Sequence, residues 1–217
     1  MPFSVESIQT PSPAGIPIVH DWWRQDPPAS RLMVLLPGRN YSCDRPVLHF
    51  LRAVGLELGY DVLCLKYSFQ VTGITPPEER WREELAAEVQ AALRQVLGQG
   101  YREICWVGKS LGSPLAVELS RTVPAERTCA ILLTPLEPAM AEMGAVPTLA
   151  VIGTADPLYG TAAFAASQGR PGVEWRVFPD LDHGLEVKGD WRRSLAALSD
   201  VVSACAEFLA RAGGPPG

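Results

Sequence analysis

The sequence predicts an α/β fold with a mostly parallel central sheet and helices on both of its faces. Two observations carry that prediction. Short apolar runs alternate along the chain with longer segments of helical period, and several of the runs are apolar at every position, as strands covered on both faces are. The runs are Ile16–Trp23, Leu32–Leu36, Val62–Leu65, Ile104–Val107, Ala130–Leu133, Thr148–Ile152 and Val173–Phe178.

The intervening segments read as helices. Residues Arg45 to Leu58 follow the second run. Thr75-Pro76-Pro77-Glu78 has the form of a capping box with proline in the first turn; Trp81, Leu85, Val89, Leu93 and Val96 then recur at helical spacing until Gly98 and Gly100 end it. A third helix starts at or just after Ser110. The last begins near Asp190 and aligns Trp191, Leu195, Leu198, Val202, Cys205 and Leu209 on a stripe expected to cover the sheet, with Arg192, Arg193 and Asp200 on the wet side. The first thirty residues are expected to supply edge strands and loops, and residues 213–217 a frayed tail. With no internal repeat and no long linker, residues 1–217 are expected to form a single domain.

Composition narrows the function. A chain of 217 residues with 47% hydrophobic content buries a core without a disulfide or metal staple. Nineteen basic against 24 acidic residues give a net charge of −5, and no basic block stands out, which argues against nucleic-acid binding. The start of the chain lacks a signal-peptide pattern and no apolar window is long enough to span a membrane. Five cysteines at wide spacing, with no CxxC pair, read as reduced thiols packed as small apolar groups in a cytoplasmic protein. No cofactor or metal is expected.

The chemistry is written in Ile104-Cys-Trp-Val-Gly108-Lys109-Ser110-Leu111-Gly112, where a strand pattern runs into Gly-x-Ser-x-Gly and a helical pattern follows at once. A serine on so tight a turn needs very small residues at both outer positions and is presented above the sheet. The N-terminus of the following helix supplies an unpaired N–H, that of Leu111, where a carbonyl oxygen would gain charge. A phosphate loop is excluded, because the glycine it requires five residues before Gly108 is Glu103.

Three histidines are available as a base. His183 lies in Pro179-Asp180-Leu181-Asp182-His183-Gly184, between the last strand and the last helix, where loops at the carboxyl ends of parallel strands gather. His20 falls in a strand pattern and His49 on a helix, both read as packing residues. Asp156, just past the run Thr148–Ile152, is the candidate acid; Asp180 and Asp182 read as turn formers beside it.

The resulting order Ser110, Asp156, His183 is that of the nucleophile-elbow fold. From the strand at Leu32 to the final helix the chain resembles the α/β-hydrolases, and most of all their small, cap-less, dienelactone-hydrolase-like branch. Those lactonases carry a cysteine nucleophile where this elbow has Ser110, so their substrate is not carried over. The resemblance implies a serine hydrolase of the carboxylesterase or thioesterase kind, acting through an acyl-enzyme on a small-molecule ester or thioester. It also implies a second oxyanion donor in the loop after Leu36, where Gly38 permits close approach and the N–H of Arg39, or alternatively Asn40, would donate.

Only the ten residues Glu137–Val146 separate Leu136 from Pro147, too few for the lid this fold often inserts there, so the site is expected to be open and shallow. Arg39, Lys66 and Lys109 are candidate cations at its mouth for an anionic substrate group, and Cys43 a thiol close to it. The alternative readings are a catalytically silent scaffold that binds a ligand or protein, and a peptidase or acyltransferase using the same residues.

Overall fold

Each predicted apolar run supplies a strand of the computed structural model, which describes residues 2–12, 15–74 and 80–212. In chain order the strands are β1 (Phe3–Thr10), β2 (Ile18–Gln25), β3 (Arg31–Leu36), β4 (Tyr60–Cys64), β5 (Glu103–Lys109), β6 (Thr128–Leu133), β7 (Thr148–Gly153) and β8 (Val173–Phe178). They form a single sheet in the order β1-β2-β4-β3-β5-β6-β7-β8. β1 and β2 pair antiparallel, as do β2 and β4, and every other pairing is parallel. Of the edge strands expected in the first thirty residues, β1 does stand at an edge, whereas β2 is an interior strand held between β1 and β4.

The helices are α1 (Pro46–Glu57), α2 (Ser68–Thr72), α3 (Trp81–Val96), α4 (Gly112–Ser120), α5 (Glu137–Glu142), α6 (Ala162–Ser167) and α7 (Trp191–Ala212). The capping box at 75–78 and the tail at 213–217 lie outside the described residues. Strand geometry explains why the central runs carry no polar alternation. Along β3, Leu32, Val34 and Leu36 point into a core shared with α3 and α4, while Met33 and Leu35 point into a second core closed by α1 and α7. All five side chains are 0% exposed. Each such burial stabilises by about 1.5–3 kcal/mol relative to exposure, so β3 anchors both layers.

Two features of this packing bear on the site. α5 occupies the stretch where a lid would be inserted, yet Ala139 and Met140 are 0% exposed and belong to the core under it. It packs into the body and covers no mouth. The stripe on α7 departs from expectation: Val201, Cys205 and Leu209 are buried against the sheet, but Trp191 and Leu195 are 62% and 58% exposed. The first two turns of the helix leave these two side chains uncovered.

His20 is a core residue of β2, 0% exposed. Its Nδ1 accepts from the Lys66 N–H (3.1 Å), so Nε2 carries the proton and donates to Thr10 Oγ1 (2.9 Å). Burial, and then the Lys66 charge, lower its pKa from 6.5 to about 4. The unfolded chain therefore binds the extra proton first as pH falls. His20 contributes stability that is complete above about pH 6.5 and is lost as pH drops towards 4, roughly 3 kcal/mol over that window. Urea unfolding of wild type and His20→Gln should show a stability gap that narrows as pH falls from 7 to 4; a gap independent of pH refutes the assignment.

Candidate active site

Ser110 joins β5 to α4 with a left-handed backbone, φ 50°. That conformation costs a non-glycine residue of order 1–3 kcal/mol, and the surroundings hold it. The Ser110 N–H donates to the Leu133 carbonyl at the end of β6 (2.9 Å), and the Ser110 carbonyl accepts from the Ser113 N–H (2.8 Å) and hydroxyl (2.6 Å). The flanking glycines are required by contact. A Cβ on Gly108 would stand 2.6 Å from the Gly112 carbonyl oxygen and 2.7 Å from Ser113 Cα, and one on Gly112 would overlap the Leu36 carbonyl of β3.

His183 extends from the loop between β8 and α7. An isolated bridge pairs Leu181 with Val187 across that loop, and Asp182 Oδ1 accepts from the N–H groups of Gly184 (2.7 Å) and Glu186 (3.2 Å). Asp180 turns outward to Arg193 (2.6 Å). Both neighbours of the histidine are thus occupied as turn residues. Asp156, 3% exposed in the turn after β7, faces the ring instead. Its Oδ1 accepts from the Leu158 N–H (2.9 Å) and its Oδ2 lies 2.7 Å from His183 Nδ1.

An ionised carboxylate can only accept, which assigns the imidazole proton to Nδ1 and leaves Nε2 to accept the Ser110 hydroxyl at 2.8 Å. Three residues from separate loops thereby form one hydrogen-bonded chain. It runs from a fully buried carboxylate to an imidazole whose side chain is 39% exposed. Chemically, such an arrangement can draw a proton from the serine hydroxyl and shelter the resulting imidazolium.

The loop after β3 lies against the elbow. A Cβ on Gly38 would be 3.4 Å from the Lys109 carbonyl oxygen and 3.5 Å from Ser110 Cβ. Gly38 and Tyr41 exchange backbone hydrogen bonds (3.0 and 3.4 Å), and the Gly38 carbonyl also accepts from Gln70 Nε2 (2.9 Å). Gln70 belongs to α2, and its Oε1 accepts the Tyr67 N–H (3.1 Å). In a trans peptide the carbonyl and the next N–H point oppositely, so Gln70 also fixes the direction of the Arg39 N–H. The N–H groups of Arg39, Asn40 and Leu111 have no backbone acceptor among the described residues. Sequence reasoning missed Gln70, because only the tertiary fold brings α2 to this loop.

The expected cluster of mouth cations does not form. Lys109 is 1% exposed and points beneath the elbow, donating to Thr134 and to the His183 carbonyl. Lys66 is engaged by Asp21 of β2 at 3.0 Å. Of the three candidate cations, only Arg39 has an exposed side chain. Cys43 is a buried free thiol 3.4 Å from the Leu65 carbonyl and within hydrogen-bonding contact of the Cys64 thiol; that contact and burial push its pKa up, the opposite of an activated thiol. His49 is exposed on α1 beside Arg52.

Beside the His183 loop runs a groove of about 550 Å³, lined by Tyr41 and Val47 on one side and by Leu185, Val187, Trp191 and Leu195 on the other. The overhanging turns of α7 thus form one of its walls. The mouth is lidless, as expected, but it is flanked by an apolar trough where a shallow surface was expected. Among the described residues no cluster of metal-ligating side chains occurs, and no helix is long and apolar enough to cross a membrane.

No family model matches the chain, and no curated protein matches it. Solved structures do. The chain is similar to an α/β serine hydrolase without lid from Xanthomonas campestris (15% identity, 99% of each chain, TM-score 0.74). It is also similar to a dienelactone hydrolase from Anabaena variabilis (16% identity, 96% of this chain and 98% of that one, TM-score 0.72). An esterase from Pyrococcus furiosus aligns at 16% identity over 96% of this chain and 93% of its own, with a TM-score of 0.70. The chain has the α/β-hydrolase fold in its lid-less form.

Proposed function

We propose that the protein is a serine hydrolase that cleaves carboxylic esters or thioesters with accessible acyl groups through an acyl-enzyme. The observation that carries this reading is the continuous hydrogen-bonded chain Asp156–His183–Ser110, with its serine on a strained elbow. A binding scaffold requires no such alignment. His183 takes the Ser110 proton as the oxygen attacks the carbonyl carbon, and Asp156 holds the tautomer and stabilises the imidazolium. The same proton then goes to the leaving alkoxide or thiolate. Water, deprotonated by His183, attacks the acyl-serine and releases the acid.

The oxyanion is assigned to the N–H groups of Leu111 and Arg39. For Leu111 the support is its place at the N-terminus of α4; for Arg39 it is the peptide orientation imposed by Gln70. Substrate class follows from the wall beside His183. An apolar group on the ester suits the groove, whereas Glu186 and Asp190, which also line it, oppose a carboxylate there. The solved esterase and serine hydrolase of the same fold favour the same class of reaction.

Ser110→Ala should abolish p-nitrophenyl ester turnover and labelling by a fluorophosphonate probe; a wild-type protein that stays unlabelled while folded removes the hydrolase reading. Asp156→Asn should lower kcat by about 10⁴, and full activity in that variant would move the acid elsewhere. Gln70→Ala should lower kcat by about 10-fold or more, up to the 10²–10³ of a lost oxyanion donor, with KM nearly unchanged. Equal kcat in that variant would dismiss Gln70 as the residue that orients the Arg39 N–H.

A further inference from the structure

The position between Gly108 and Ser110 holds a lysine that reaches neither solvent nor substrate. Lys109 Nζ donates to Thr134 Oγ1 and to the His183 carbonyl oxygen (2.6 Å), and lies 5.1 Å from the centre of the Tyr41 ring. Its direct partners are therefore neutral: a hydroxyl, a peptide carbonyl and an aromatic face. Burying an ammonium among neutral partners is unfavourable unless every donor is engaged. An apolar side chain of the same length would avoid that cost. The lysine is placed where one residue of the elbow can hold the backbone of the base while the next meets its ring.

We propose that Lys109 is a positioning residue, a clamp that ties the His183 loop to the nucleophile elbow and thereby sets the approach of the imidazole to Ser110. This rests on the serine-hydrolase reading for its kinetic effects and on geometry alone for its structural ones. Among the described residues, two hydrogen bonds run from the elbow to this loop: Lys109 to the His183 carbonyl and Ser110 to the His183 ring. The second is remade in every catalytic cycle, because the serine gives up its proton and becomes acylated. The first persists throughout. While Ser110 is acylated, Lys109 holds the imidazole in place for the deacylating water.

The clamp also carries a pH dependence. The groups facing Lys109 are Asp156 after β7, Asp182 and His183 after β8, Tyr41 after β3 and Thr134 after β6. Burial lowers its pKa from 10.5 to about 8, against the opposing pull of Asp156 and Asp182. Above that pH the amine is neutral and its hydrogen bonds lose their charge assistance. Turnover is therefore expected to decline in mildly alkaline solution, where a serine hydrolase limited only by its histidine would hold a plateau.

The test uses Lys109→Met and Thr134→Val. Hydrogen–deuterium exchange of residues 180–187 at pH 7 should be faster in Lys109→Met than in wild type, and unchanged protection overturns the clamp whether or not any ester is hydrolysed. With p-nitrophenyl acetate, Lys109→Met should lose 10- to 100-fold in kcat with KM little changed, and should lack the alkaline decline of the wild type. Thr134→Val removes one acceptor, which disfavours the ammonium, so its decline should move to lower pH. This second variant decides the matter if Lys109→Met does not fold. A kcat within twofold of wild type in Lys109→Met, or an alkaline decline identical in wild type and Thr134→Val, refutes the proposal. A wild-type protein that hydrolyses no ester refutes the functional reading and leaves the exchange experiment to judge the clamp.

Discussion

The left-handed backbone of Ser110 is the constraint on which the rest of the site depends. A residue with φ 50° is held there only by over-determination, and each restraint comes from a different part of the sheet. β6 supplies the Leu133 carbonyl, α4 supplies both Ser113 donors, and β3 presses its Leu36 carbonyl against the hydrogen of Gly112. These contacts exist because β3, β5 and β6 are adjacent and parallel. The central sheet order is thus a requirement of the elbow as much as of the core.

The same edge gathers groups whose environments pull in opposite directions. Asp156 is buried but remains a good acceptor, because it takes a backbone N–H and an imidazole N–H. Lys109 is buried with neutral partners and yields part of its proton affinity to desolvation. His183 sits between them with its side chain 39% exposed. Under the proposed reaction, this order of burial holds the carboxylate in place behind the imidazole and leaves the imidazole as the group within reach of substrate and water.

How much of this was legible in the sequence depended on the range over which each signal acts. The elbow is local: two glycines, a serine and the switch from strand to helix lie within a few residues, and the structure shows both glycines in forced contact. Asp156 and His183 could be found because parallel strands send their following loops to one edge. Lys109 was misread as a mouth cation, although strand parity held the correction. Cys105 and Val107 face the core under α1 and α7, and Lys109 follows at the same spacing of two. Gln70 could not be found, since α2 meets the Gly38 loop only after β4 has been laid beside β3. The stripe on α7 is apolar as its period implies but is not covered throughout, because periodicity reports which residues share a face and not what lies against them.

The uncovered end of α7 bears on how a lid-less site can still select its substrate. In this chain the segment after β6 is committed to α5, whose Ala139 and Met140 are core residues, so no material remains there to fold over the mouth. Under the proposed reaction, the exposed turns of α7 take on part of that task. Trp191 and Leu195 leave a large apolar area uncovered, at a cost in solubility, and do so beside the loop that carries His183. A wall built from the end of a continuous helix needs no closing motion, whereas a lid must open and close. Under the proposed reaction, selection would then arise from the fit of an apolar group against a fixed surface, and no conformational step would separate binding from chemistry. The clamp on His183 is consistent with that economy: with no closing motion to assemble the site, its geometry must already be set before the substrate arrives.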